Sequence, residues 1–263
     1  MDRTAAVAEF LLELRQSLRI VEGIPADIAP RTPEEGYGVQ ELLVRKLLDA
    51  GGGHTVGYKI ACTSEMAQRA LGVNEPFFGT LLSHTCYRSG VTLPASAFTL
   101  RCIEAEFGFE IAEDVPIGRE YTSDSIAEFI GAAIPSIEIV DHRYRDWKTV
   151  GAPSLLADNA IHGAWVAGEP RTDWRGIDYA RHPVLLIVNG METFPGSGAA
   201  VLGNPLNVVA WLANELPKYG RRLRRGDRIT TGVTTDIYMA NPGDHLIADF
   251  GALGKVQLTF SKD

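Results

Sequence analysis

Leu100-Arg101-Cys102-Ile103-Glu104-Ala105-Glu106-Phe107-Gly108-Phe109-Glu110-Ile111 is the stretch that decides how this chain folds. Read as a strand, its successive side chains point to opposite faces. One face then carries Ile103, Ala105, Phe107, Phe109 and Ile111, an unbroken apolar row that belongs in a core. The other face carries Glu104, Glu106, Gly108 and Glu110. Strand-like composition recurs at 55–60, 134–140, 161–167, 184–188, 228–231, 236–240, 245–250 and 255–260. Val188-Asn189-Gly190-Met191 reads as a hairpin turn, Pro242-Gly243-Asp244 as a turn, and Gly251 to Gly254 as the bend of another hairpin.

Helices come first. Val7, Phe10, Leu11 and Leu18 recur at helical spacing over Thr4–Leu18. A second helix has a complete start signal, with Thr32 as N-cap, Pro33 at the first position and Glu35 three residues after the cap. It runs through Val39, Leu42, Leu43 and Leu47 to Gly51-Gly52-Gly53, and Ile24 to Pro30 between the two helices is a loop. Further helices are expected at about 63–71, at about 123–133, and from Asn204-Pro205 to near Gly220. Helices followed by many strands give an α+β fold, with a helix-rich N-terminal domain over 1–75 and a mostly β domain over 76–263.

Composition narrows the function. The chain has 263 residues, 45% of them apolar and 22% charged, which excludes disordered, collagen-like and coiled-coil classes. Its net charge of -8 argues against a nucleic-acid partner. No apolar run approaches the roughly 18 residues of a membrane span. Acids mixed into the first residues (Asp2, Glu9, Glu13) do not read as a secretory leader. Three cysteines, Cys62, Cys86 and Cys102, lack metal or disulfide spacing, so the expectation is a cytoplasmic protein with reduced thiols.

The chemistry sits on the acidic face. Glu104 and Glu106 are two residues apart on one side of a rigid strand, roughly 7 Å at the Cα atoms. They repel unless a cation lies between them, and Mg²⁺ or Mn²⁺ prefers carboxylate oxygen. The alternative is the solvated face of an edge strand. Glu138 interrupts the apolar run Ile134-Pro135-Ser136-Ile137-Glu138-Ile139-Val140, where it is either exposed or, if buried, in need of a partner or a metal. Lys59 interrupts Val56-Gly57-Tyr58-Lys59-Ile60-Ala61, either reaching to water or serving a site. The six histidines show no metal-binding spacing, and Gly196-Ser197-Gly198 lacks the context of a serine nucleophile. Arg221 to Arg225 follows a helix end and reads as a solvated turn.

Several segments together resemble one family. Gly57-Tyr58-Lys59-Ile60, Leu71-Gly72-Val73 with Phe78-Gly79-Thr80-Leu81, Ile103-Glu104-Ala105-Glu106 and Pro135 to Glu138 are similar to the 2-keto-4-pentenoate hydratase group of the fumarylacetoacetate hydrolase superfamily. So are Arg145-Asp146-Trp147, Ala157-Asp158-Asn159-Ala160, Leu202-Gly203-Asn204-Pro205 and Thr231-Gly232. That group includes 2-oxo-hepta-4-ene-dioate hydratases and 4-oxalocrotonate decarboxylases. The resemblance implies Mg²⁺ or Mn²⁺ held by Glu104, Glu106 and Glu138, with Lys59 at the same site. It implies a short 2-oxo acid as substrate, with Phe77, Ile161 and Thr231 beside it, and a homo-oligomer. The expected reaction is hydration of a 2-oxo-enoate or its dienol. Decarboxylation, tautomerisation or C–C hydrolysis of a related acid, or a non-catalytic metal or keto-acid binding role, are the alternatives. Two positions depart from the group's pattern: Phe77 stands where an Asp is usual, and Ile161 where a small polar residue is common.

Overall fold

The computed structural model describes residues 2–262. Helix α1 (Arg3–Ser17) leads to α2 (Pro33–Gly51), whose start is as the sequence indicates, with Thr32 Oγ1 accepting from Glu35 N at 3.3 Å. Then follow β1 (Thr55–Ala61), α3 (Glu65–Leu71), β2 (Phe77–Leu82), β3 (Cys86–Arg88), β4 (Val91–Leu93) and β5 (Cys102–Ile111). Helix α4 (Ser123–Ile126) precedes β6 (Ile130–Val140), and α5 (Ala152–Ala157) precedes β7 (His162–Ala167). The hairpin of β8 (Pro183–Val188) and β9 (Glu192–Ser197) turns at Asn189 and Gly190, both at positive φ as the two-residue turn requires. The chain closes with α6 (Pro205–Glu215), β10 (Arg228–Thr230), β11 (Tyr238–Met239), β12 (His245–Asp249) and β13 (Lys255–Phe260).

These strands make two sheets. An eight-stranded sheet runs β2-β1-β10-β5-β6-β7-β3, with β11 also on β5, and a five-stranded sheet runs β4-β13-β12-β8-β9. Strand β5 is interior, flanked by β10 and by β6, so the edge-strand reading of its acidic face is excluded. Its odd-numbered side chains bury as the alternation requires. Phe107 packs edge-on against Phe250 at 5.0 Å between centroids, and both Phe107 and Phe109 meet Tyr179 at 5.4 Å. The same buried cluster takes in Val7, Leu11 and Leu14 of α1 and Leu43 of α2. The expected division at residue 75 falls between β1 and β2, which pair antiparallel from Ala61↔Phe77 onward.

One local expectation needs correction, and some elements carry no local signal. The helix expected to reach 133 ends at Ile126, passes through a 3-10 turn at Ala127–Phe129, and gives way to β6 at Ile130. Strand β2 is absent from the sequence reading: all of Phe77–Leu82 is buried, so no period-2 alternation marks it. Helix α5 is too short to show a period.

Candidate active site

Residues paired across neighbouring strands share a face of the sheet. Lys59 pairs with Thr230, Thr230 with Gly108, Glu106 with Ser136, and Glu104 with Glu138. One face of the large sheet therefore carries Lys59, Thr230, Glu104, Glu106 and Glu138 together. Oxygen atoms of the three glutamates lie within 4.8 Å of one another. Beside them Leu81, Ile134 and Trp165 form a small apolar cluster apart from the main core.

Burial decides the readings that the sequence left open. Glu106 and Glu138 are 0% exposed and Lys59 is 1% exposed, so none of the three reaches water. Lys59 Nζ lies 3.2 Å from Glu138 Oε1 and donates to Ala160 O at 3.1 Å. His162 Nδ1 also bonds Glu138 Oε1, at 2.8 Å. On the other side, Glu106 Oε2 accepts from Thr230 Oγ1 and from Gly232 N at 2.7 Å. Gly232 is obligatory there: its φ is 101°, and a Cβ would stand 1.9 Å from Thr63 Oγ1.

Charge follows from this packing. Burial pushes the Glu106 carboxyl well above its ordinary range, and Glu138 and Glu104 push in the same direction. Burial also raises Glu104, against the pull of Lys59. For Glu138 burial works upward but is outweighed by Lys59 and by the His162 bond, so it is held below the ordinary value. Burial would discharge Lys59; Glu138, Glu104 and Glu106 reverse that and hold it charged. Burial lowers His162.

The second oxygens of the two buried acids are the telling atoms. Glu106 Oε1 and Glu138 Oε2 are buried and accept no hydrogen bond. Unpaired buried carboxylate oxygen is costly unless a cation or donor completes it. The donor set fits a hard divalent ion: carboxylate oxygen only, with one oxygen of each buried acid fixed by the protein and the other free. Once all three carboxylates are ionised, as a metal ligand must be, one ammonium leaves a double negative charge that such an ion cancels.

A strained turn closes the site. Asn159, Ala160 and Ile161 are consecutive non-glycine residues in the left-handed region, at φ 51°, 50° and 53°. Each costs roughly 1–2 kcal/mol, so the surroundings must over-determine the turn. They do. The Asn159 side chain exchanges two bonds with the Thr80 backbone, Thr80 N to Oδ1 at 2.7 Å and Nδ2 to Thr80 O at 2.9 Å. Asp158 just before the turn is buried between Arg15 and Arg143.

Of the residues expected at the site, Lys59, Glu104, Glu106 and Glu138 are brought together. Phe77 opens β2, pairs with Ala61 and lies on the Lys59 face, 5% exposed. Ile161 ends the left-handed turn and is partly buried. Thr231 is placed differently: its hydroxyl donates to Phe107 O at 2.8 Å, and the hydroxyl on Glu106 belongs to Thr230. His162, Thr230 and the Gly232 amide escaped the sequence reading. Alternation from the Lys59 face through β10 would have indicated Thr230; nothing local marks His162.

No known family model matches the chain. The 2-keto-4-pentenoate hydratase of Paraburkholderia xenovorans (strain LB400) is 30% identical over 256 residues, covering 97% of this chain and 94% of that protein. The 4-oxalocrotonate decarboxylase from Pseudomonas putida G7, complexed with magnesium and adipate, superposes with a TM-score of 0.91 at 28% identity over 98% of this chain and 97% of its own. The fumarylpyruvate hydrolase from Pseudomonas aeruginosa, solved with Mn²⁺ and pyruvate, shares the fold at a TM-score of 0.58 and 14% identity, over 80% of this chain and 91% of its own. The architecture is a fumarylacetoacetate hydrolase-like fold. The chain belongs to the 2-keto-4-pentenoate hydratase family.

Proposed function

We propose that this chain is a divalent-metal-dependent lyase of the hydratase type, adding water to a short 2-oxo-enoate supplied as its 2-hydroxydienoate, as in the meta-cleavage catabolism of aromatic compounds. The observation that carries this reading is the pair of unpartnered oxygens, Glu106 Oε1 and Glu138 Oε2, beside Glu104 and the buried Lys59. Glu104, Glu106 and Glu138 would hold Mg²⁺ or Mn²⁺. When bound, such an ion supplies Lewis acidity toward the carboxylate and 2-oxo group of the substrate.

The protein's own groups do the rest. Lys59, held charged, presents its ammonium to negative charge developing on the substrate. His162 and Ala160 fix the Lys59–Glu138 pair, so its geometry is set before substrate arrives. Phe77 and Ile161 line the apolar side, exclude water there and cannot exchange a proton. Decarboxylation of a related 2-oxo acid is the second reading, favoured by the 0.91 TM-score to a decarboxylase and by a phenyl ring where water addition needs a base. We place the enzyme in the cytoplasm as a homo-oligomer acting on a small 2-oxo acid. Among the described residues no helix is long and apolar enough to cross a membrane.

The test is a screen of 2-oxo acids with Mg²⁺ and Mn²⁺, read by ultraviolet loss of the dienol and by CO₂ release, on wild type and Glu106→Gln. Hydration by wild type and loss of metal-dependent turnover in a folded variant support the reading. Metal binding unchanged by Glu106→Gln in calorimetry removes this site from consideration.

A further inference from the structure

We propose that Arg15 of α1 is a positioning residue for this reaction: its one guanidinium braces both ends of the left-handed turn that fixes Lys59 and Glu138. The proposal rests on the reading of Lys59 and Glu138 as site residues. Arg15 Nε donates to Asp158 Oδ1 at 2.7 Å and Nη2 to Asp158 O at 2.8 Å. Its third nitrogen, Nη1, donates to His162 O at 3.1 Å. Asp158 immediately precedes Asn159-Ala160-Ile161 and His162 immediately follows. A single side chain therefore spans the three strained residues.

Both outputs of the turn reach the site. The carbonyl of Ala160, in the middle, accepts from Lys59 Nζ. The ring of His162, at the end, bonds Glu138 Oε1, the oxygen that also faces Lys59. Asp158 cannot serve as the anchor alone, because Arg143 Nη2 pulls its other oxygen at 2.7 Å toward Asp141, whose Oδ2 accepts from Arg143 Nη1 at 3.0 Å. Arg15 supplies the opposing hold and the only one of these bonds that spans to His162. Arginine suits this task, since its planar fork presents several donors in fixed directions, whereas lysine is a point donor. Arg15 touches no group placed against the substrate. It acts through backbone, and misplacing a reacting group by about 1 Å can cost on the order of 10²-fold in rate.

The experiment compares wild type, Arg15→Lys and Arg15→Ala. Arg15→Ala is expected to lower kcat by tenfold or more with KM within threefold, and to weaken Mn²⁺ binding in calorimetry several-fold through Glu138. Millimolar methylguanidinium should restore part of kcat, and methylammonium should not. Arg15→Lys keeps the charge and is expected to fold yet stay impaired, because one ammonium cannot reach both Asp158 and His162. Amide hydrogen exchange over 158–162 needs neither metal nor substrate, and should quicken in both variants. Unchanged exchange in Arg15→Lys together with wild-type kcat overturns the brace. A lower melting temperature with kcat preserved, or methylammonium rescuing as well as methylguanidinium, does so too. Wild type that binds no Mn²⁺ and consumes no dienoate counts against the site reading instead, while the exchange measurement still decides whether Arg15 braces the turn.

Discussion

Glu104 on β5 stands directly opposite Glu138 on β6, so two carboxylates occupy one cross-strand pair. Like charges so placed destabilise a sheet by roughly 0.2–1 kcal/mol. The arrangement has a fold-level cost that a bound cation converts into a gain. Glu104→Gln is therefore expected to raise the melting temperature of chelator-treated protein slightly and to abolish the rise that Mg²⁺ produces in wild type. Thermal melts in EDTA and in excess Mg²⁺ check it. An equal Mg²⁺ shift in wild type and variant would sink the idea.

Metal binding through Glu106 is expected to depend on pH, because its carboxyl is raised. Burial, then Glu138 and Glu104, hold its proton to higher pH than an ordinary glutamate keeps it. A folded value above the unfolded one favours the fold below the unfolded pKa, and that support is lost as pH rises through the folded one. A divalent ion needs the carboxylate, so its binding expels the proton. Two outcomes are expected as pH rises: metal-free protein loses stability, and Mg²⁺ or Mn²⁺ affinity increases. Calorimetry in two buffers of different ionisation enthalpy should register the released proton. An affinity independent of pH would contradict this assignment.

The acids were legible in the sequence because each breaks an otherwise apolar pattern: Glu104 and Glu106 share one face of β5, and Glu138 and Lys59 interrupt apolar runs. Helix α2 was legible because its cap, Pro33 and apolar period agree. What could not be read locally depends on contacts distant in sequence. The strained turn at 159–161 exists because Arg15, far earlier in the chain, and Thr80 hold it, and no residue there is a glycine that would signal positive φ. His162 becomes a site residue only when β7 lies beside β6. Strand β2 hides because both of its faces are buried.

Thr230 and Thr231 give a controlled pair. The Thr230 hydroxyl donates to Glu106 Oε2, and the Thr231 hydroxyl to Phe107 O. Partners that orient a metal ligand are typically worth 10–100-fold in affinity. Thr230→Val is expected to weaken Mn²⁺ binding on the order of 10-fold or more. Thr231→Val should lower stability by about 0.5–1.5 kcal/mol through the lost hydroxyl bond, because the residue 231 amide still donates to Phe107 O, and should leave Mn²⁺ affinity near wild type. Calorimetry and denaturant titration of both variants test the contrast. Equal losses of metal affinity would show that the two hydroxyls are not divided as their bonds indicate.

Phe77 is expected to limit how well this site adds water. It sits on the Lys59 face of β2, buried, at the position where the resemblance to the hydratase group leads one to expect an Asp. Water addition requires a group that places and deprotonates the nucleophile, and a phenyl ring accepts no proton. Wild type is accordingly expected to hydrate 2-hydroxypenta-2,4-dienoate slowly while exchanging the C3 protons of simple 2-oxo acids with solvent. Phe77→Asp should raise hydration by on the order of 10²–10⁴, the range of a positioned general base. It should also cost stability, about 1–3 kcal/mol for a polar group placed where an aromatic ring is buried. Dienoate consumption and proton–deuterium exchange by NMR, run on both proteins, separate the two activities. Exchange should persist in both and hydration should rise only in the variant. A wild-type kcat near the ordinary enzyme median of about 10 s⁻¹ would mean that another residue supplies the base, and that the ring at position 77 shapes the pocket without limiting the chemistry.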